Sequence, residues 1–384
     1  TFLGEVPRRR TSPKKVVFPP MSATSQPSHT REVNGLKASL LLSFVLTLQA
    51  CGGREFGSPL GTMPATTRAH TPALPEPDVR PNLSGAAAPF RSRPMRAPGT
   101  GWLSPAAKSG ALLYVSDWNA NVVDVYSYPS LKPAGQLTDD MLNPDGLCTD
   151  AKGDVFVVNN TPNAYDVLEF AHGGTTPIQT LGNPGQVGVG CSVDPVTGNL
   201  AVTNVEALYS GRGSVSIYIK ATGTPTMYSD PDMASVYFCG YDDKGNLYLD
   251  GFSGGPSEGS FQFAELPKGK STFKAIALKA ATIHFPGGIL WDGKYVDVAD
   301  QIYSQNGSVL TSAVYRTTGA GAKVVSKEIL AGSDDVSSYA IDGSTLIGTN
   351  YDDATAGFWK YPKGGKPTDE LDGFEYPIGV AISK

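Results

Sequence analysis

The stretch PDGLCTDAKGDVFVVNN, residues 144–160, decides how this chain is read. A short apolar run ends at Asp150, the chain turns through Gly153, and a second run, Val155 to Asn159, follows at once. Asp side chains cap tight turns and Gly accepts positive φ, so the stretch reads as two antiparallel strands joined by a hairpin. The block recurs six times between Ala111 and Lys384, at a spacing of roughly 46 residues. Its first strand, a, returns in GCSVDPVTGN (190–199), FCGYDDKGN (238–246), PGGILWDGK (286–294), SYAIDGST (338–345) and PIGVAISK (377–384). Asp150, Asp194, Asp242, Asp292, Asp342 and Ser383 close that strand in turn. Strand b follows each time, as in LLYVSD (112–117), LAVTN (200–204), LYLDG (247–251) and LIGTN (346–350). An aromatic strand c, a Gly/Pro/Lys-rich loop and a strand d complete the unit.

A repeat of one four-stranded unit, with no helical periodicity beside it, predicts an all-β, six-bladed propeller of antiparallel blades over 110–384. The repeat enters at strand b and ends at strand a. The last strand a is therefore expected to join the first strands b to d and close the ring. Glycine (44) and proline (30) are abundant, as many short strands joined by turns require.

Residues 1–109 hold 14 Lys and Arg against 5 Asp and Glu; residues 110–384 hold 17 against 31. The acidic repeat region argues against nucleic acid, which needs basic surface. It suits solubility, and also a cation or a small polar ligand. A monomer is expected.

The N-terminal part reads as a targeting segment. Ala38 to Ala50 is uncharged and apolar, preceded by Arg31 and Lys37, and too short to span a bilayer. Leu48-Gln49-Ala50-Cys51 follows and resembles the bacterial lipobox. That resemblance implies cleavage before Cys51, a diacylglycerol on its thiol, and a membrane-anchored, exported protein on the periplasmic or cell-surface side. A signal over 21–50 starts at Met21, so residues 1–20 read as an upstream, unstructured extension. Residues 51–109, rich in Pro, Ala, Ser and Thr, read as a disordered tether.

The block at 144–160 resembles the NHL repeat and the gluconolactonase-like (senescence-marker) lactonases, both six-bladed propellers. The first resemblance implies a binding scaffold for a protein, peptide or glycan. The second implies a divalent metal, Ca²⁺ or another, in the axial channel of a hydrolase. Its Asn-Gly-Leu element is matched loosely by Asp145-Gly146-Leu147; its Glu-Gly-Pro element has no counterpart. Asp145 and Asp250 are the metal candidates.

Five Asx residues close strand b: Asp117, Asn159, Asn204, Asp300 and Asn350. Converging at the channel mouth, they would bind a cation or a polar ligand. Alternatively each bonds the backbone of its own b–c turn, which every blade needs. His284, before Phe285-Pro286-Gly287, is the one candidate general base, with a packing role as the alternative. Cys148, Cys191 and Cys239 are expected as buried free thiols. Cys148 points to the other side of its strand, and inner strands of neighbouring blades are expected to lie too far apart for a bridge. Trp118, Trp359 and Tyr361 either line a binding face or pack between sheets. No nucleophile elbow, P-loop or dinucleotide fingerprint occurs. The expected role is therefore a tethered binding module, with a metal-dependent lactonase as the alternative.

Overall fold

The computed structural model describes Phe90–Arg91 and residues 101–384, except 162–163, 208–210, 256–258, 305–309 and 334. The signal segment, Cys51 and most of the tether lie outside these residues. The described residues form antiparallel strand sets of four, each running a to d from the inside outwards.

The first set is Pro377–Ser383, Leu112–Asp117, Val122–Ser127 and Lys132–Leu137. The second is Pro144–Thr149, Val155–Thr161, Ala164–Phe170 and Gln179–Pro184. The third is Gln186–Val193, Leu200–Ala207, Ser214–Tyr218 and Thr226–Tyr228. The fourth is Ser235–Tyr241, Leu247–Phe252, Phe261–Leu266 and Lys274–Ala275. The fifth is Pro286–Trp291, Val296–Ser304, Leu310–Thr317 and Val324–Leu330. The sixth is Val336–Asp342, Thr345–Asn350, Thr355–Lys360 and Gly364–Leu371. One parallel pairing, Leu330 with Gly365, joins the fifth and sixth sets into a single hydrogen-bonded sheet.

Local chemistry makes the hairpins. Asp150 Oδ1 accepts from the N–H groups of Lys152 and Asp154, each at 2.9 Å, and Gly153 takes φ +85°. Asp194, Asp242 and Asp292 cap their own turns in the same way. Every strand a also carries a β-bulge at the same place, between Pro144 and Leu147 in the second set and Pro377 and Val380 in the first. The bulge bends the inner strand where the sets crowd together.

Packing runs around the sets. Each hydrophobic cluster fills the seam between two neighbouring sets: Tyr114, Leu147 and Phe170 between the first and second, Phe156, Val202 and Tyr218 between the second and third. The sixth and first sets share a cluster as well, through Tyr126, Phe358 and Val380. Of the two roles open to Trp359 and Tyr361, packing between sheets is the one found: both are buried in the seam between the fifth and sixth sets. Deleting a side chain as large as Trp359 from such a seam costs about 3–5 kcal/mol.

Folded chain begins before residue 110. Trp102–Leu103 pairs with the outer strand of the first set, and Ala107, in a short 3-10 turn, is fully buried. Phe90–Arg91 pairs with the outer strand of the sixth set. Residues 101–109 thus cover a sheet edge that would otherwise be open.

Two of the three repeat cysteines are bonded, correcting the expectation of free thiols. Cys148 and Cys191 form a disulfide with Cα atoms 5.7 Å apart; Cys239 is free and buried. Inner strands of neighbouring sets run in the same direction, so the face one strand turns away is the face its neighbour meets. Leu147 points into the first seam and Cys148 into the next, where Cys191 waits. Opposite facing is the condition for the bridge, not an obstacle to it.

Candidate functional site: the loop mouth

One end of the strand sets is built from the b–c loops and the segments that lead into strand a. Asp117, Asn159, Asn204, Asp300, Asn350, His284 and Trp118 all lie towards this end.

The Asx residues shape its loops. Asp117, fully buried, accepts from Glu375 N at 2.8 Å and Tyr376 N at 3.0 Å, as well as Ala120 N at 3.3 Å. Asn159 accepts from Leu142 N at 2.6 Å and donates to Asp140 O and Asp166 Oδ1. Asp300 accepts from the N–H groups of His284 and Phe285. These three hold the segment entering strand a, so the expected bond to the residue's own b–c turn is the minor pattern. It occurs for Asp117 and for Asn350, which accepts from Asp353 N. Asn204 instead donates to Ser214 and Ser216 on strand c.

Asp250 belongs to a different position. Strand pairing places Gly251, not Asp250, opposite the start of strand a. Asp250 therefore stands where the other sets carry Ser116, Thr203 and Thr349. Those hydroxyls bolt neighbouring inner strands together: Ser116 donates to Asp145 O, Thr203 to Tyr237 O and Thr349 to Ile378 O. Asp250 accepts from Phe238 N at 2.9 Å. Burial raises its carboxyl well above the usual range, against the opposing effect of the backbone N–H groups that it accepts from. Asn160 makes such a link to Gly188 of the next set through its amide, while Gln301 donates to Pro286 O within its own set.

Asp145 is 7% exposed, its Oδ1 has no hydrogen-bond partner, and burial pushes its pKa well up. That orphaned oxygen, and the equally unpartnered Oδ2 of Asp250, suit the metal implied by the lactonase resemblance. The remaining donors do not gather: among the described residues no three His, Cys, Asp or Glu side chains come together as a metal-holding group. Asp250 faces backbone amides rather than Asp145. The residues present do not fit that ion.

His284 is better placed than its sequence context suggested. Its Nδ1 lies 3.0 Å from Asp300 Oδ2, the carboxylate is fully buried, and the ring is 49% exposed. A buried carboxylate on one ring nitrogen orients the imidazole. Beside it Phe285 meets Tyr237 and Phe252 edge to face, with centroids 5.5 and 5.4 Å away. Across the mouth Tyr351 and Tyr376 lie together, centroids 5.0 Å apart.

Between the mouth and the turn end, the inner strands line an open axial cavity of about 260 Å³, with Leu147, Cys191, Cys239, Ile289, Tyr339 and Val380 among its walls. These six residues occupy one register, the first position after each bulge.

Sequence reading missed one polar network at the turn end. The Tyr361 hydroxyl lies within hydrogen-bond distance of both Asp292 and Asp297, and Arg316 pairs with Asp292 while lying over the rings of Tyr295 and Tyr361. Burial pushes Asp297 up to about 8, while Arg316 and Tyr361 draw Asp292 below its ordinary value against the opposing effect of burial. The partners are far apart in sequence, and no local pattern marks them.

No protein-family model matches this chain, and no curated protein matches it in sequence. Solved structures do. A chain of a nidogen/laminin complex aligns with a TM-score of 0.55 and 12% identity, over 72% of this chain and 99% of that chain. TolB from Acinetobacter baumannii gives 0.49 and 16%, over 73% and 68% respectively. Hydrazine synthase from Kuenenia stuttgartiensis gives 0.46 and 14%, over 64% and 72%. At such identity the first likeness is one of fold, and the class it defines is the all-β propeller of four-stranded antiparallel sheets.

Proposed function

We propose that this chain is an exported, lipid-anchored, six-bladed β-propeller that acts as a binding scaffold for a protein, peptide or glycan through its loop mouth. The observation that carries this reading is the use made of the Asx residues. Asp117, Asn159 and Asp300 hold the mouth loops to the ends of strand b, leaving Trp118, Tyr351 and Tyr376 partly exposed on a fixed frame. Rigid, partly exposed aromatics provide contact area at low entropic cost. The Cys148–Cys191 bridge supports an oxidising compartment.

A photo-crosslinking residue at Trp118, compared with one at Val196 in a turn at the other end, tests the binding face. Crosslinks in the envelope fraction from position 118 alone are expected; equal yields from both positions, or none, would sink the reading. Anchoring is tested separately: Cys51→Ser should move the protein from the membrane to the soluble fraction.

A second reading, a lactonase-like hydrolase, is supported by the His284–Asp300 pair, which has the geometry of an oriented general base. Lactone hydrolysis by the purified chain, lost in His284→Asn, is its expected sign. Absence of hydrolysis across a panel of lactones ends it.

A further inference from the structure

The two ends of the strand sets differ in charge, and the difference is sharpest at the outer rim of the turn end. The loops joining strand c to strand d (128–131, 171–178, 219–225, 267–273, 318–323 and 361–363) carry Lys220, Lys268, Lys270, Lys323 and Lys363 and no Asp or Glu. All of these lysines are exposed, and none makes an ion pair with a described acid. The acids of this end sit nearer the axis, in the a–b turns, where Asp150, Asp194, Asp242 and Asp292 are turned onto their own backbone amides. The described mouth loops have the opposite sign: Asp140, Asp232, Asp352, Asp353 and Glu375 are exposed there, against Arg212 and Lys279.

Aliphatic side chains stand out at the same end as the lysines. Ile178 is 59% exposed, Ile219 57% and Val196 50%. Ile178 and Ile219 lie in the c–d loops of neighbouring sets, and Val196 lies in the a–b turn of the third set. Their segments border an open groove of about 770 Å³ at the seam of the second and third sets, with Ile178, Pro195, Thr197 and Lys220 in its walls. One such residue in water is ordinary; three around one groove, beside lysines without acidic partners, mark an interaction surface. Chain direction agrees. Phe90–Arg91 pairs in parallel with Gly364–Leu371, so the chain enters the sixth set heading from the turn end towards the mouth. Such an entry suits a chain whose lipid, on Cys51, lies beneath the turn end.

We propose that the turn end rests on an anionic lipid bilayer, with the c–d loop lysines on phosphate headgroups and Ile178, Val196 and Ile219 dipping below them. Two properties select a bilayer over a protein partner. The lysines form a rim across the third to sixth sets rather than one pocket, and a plane of anionic charge meets such a rim at every point. Exposed aliphatics flanked by lysines match the headgroup–acyl boundary, where ammonium groups reach phosphate while apolar side chains sit deeper. The acidic mouth is repelled by the same surface and faces away from it. The inference rests on the reading of the chain as lipid-anchored, and adds which face the anchor brings to the membrane.

The test places an environment-sensitive fluorescent residue at position 196, or at 118 in the mouth, of the full chain. Each is measured on vesicles of phosphatidylcholine and phosphatidylglycerol that contain brominated lipid. Quenching is expected at 196 and not at 118. Each lysine near an anionic surface favours attachment about fivefold, so Lys220→Gln/Lys268→Gln/Lys363→Gln should shift the equilibrium about a hundredfold and remove most of the quenching. High salt should act likewise. Asp232→Asn, at the mouth, should leave it unchanged. Unfolding midpoints verify that the variants are folded. Equal quenching at both positions, the same quenching on phosphatidylcholine alone, or none at 196 would overturn the proposal. So would a protein crosslinked from position 196. The mass of the peptide that holds Cys51 reads the anchor separately. A lipidated Cys51 with 196 unquenched leaves the anchor and removes the surface; an unmodified Cys51 with 196 quenched does the reverse.

Discussion

Cys148 and Cys191 are bonded across the seam between the second and third strand sets, with their Cα atoms 5.7 Å apart and a sequence separation of 43. The bond ties together two inner strands that belong to separate hydrogen-bonded sheets.

A bridge closing a loop of this length is worth about 2–4 kcal/mol, chiefly through the unfolded chain. Cys148→Ser/Cys191→Ser should lower the unfolding free energy by that amount in denaturant melts. A reduced wild-type protein should match the variant. Identical midpoints for oxidised and reduced protein would show that the bridge does not form.

The same geometry repeats one seam further on. Ser192 follows Cys191 as Cys148 follows Leu147, and Cys239 occupies the register of Cys191. Ser192→Cys should therefore form a second bridge, to Cys239. Peptide mapping without reductant should recover the 192–239 pair. The cost is the bond from Tyr241 N to Ser192 Oγ, about 1 kcal/mol. A variant that retains a titratable thiol at both positions contradicts the register.

Asp117 accepts from three backbone N–H groups while fully buried. Asp117→Ala leaves those donors without an acceptor, a loss of about 3 kcal/mol or more. Amide exchange at Glu375 and Tyr376 should rise first, before global unfolding. Slow exchange at both amides in a folded Asp117→Ala protein would refute the loop-holding role.

The turn-end network predicts a pH dependence. Asp297, raised by burial to about 8, binds its proton more tightly in the folded state than in the unfolded one. Its contribution favours folding at low pH and declines as pH rises from about 4, the unfolded value, to about 8. Asp292, drawn down by Arg316 and Tyr361, acts in the opposite sense below that window. Asp297→Asn should flatten the stability profile between pH 4 and 8 and leave the acid limb in place, as followed by chemical denaturation. A slope unchanged by the substitution would remove Asp297 as its source.

Much of the architecture was legible in the residues because its causes are local. Asp150 and Gly153 make their hairpin from bonds spanning four residues, and the return of that pattern gave the strands, their order and the pairing of Pro377–Ser383 with Leu112–Asp117. Asp117, Asn159 and Asp300 could be recognised as polar residues at strand ends, but not the loops they would hold. The amides they bind belong to segments 15 to 259 positions away.

By itself the sequence determined the repeat unit and the closing strand, because turn chemistry and strand alternation act over a few residues. Only the tertiary structure decided which face of one inner strand meets which face of the next. That choice made Cys148 and Cys191 partners, set Asp250 against the Phe238 amide, oriented His284 on Asp300, and brought Tyr351 and Tyr376 together. Such contacts depend on the angle at which separate sheets pack around an axis, and no short stretch of chain encodes that angle.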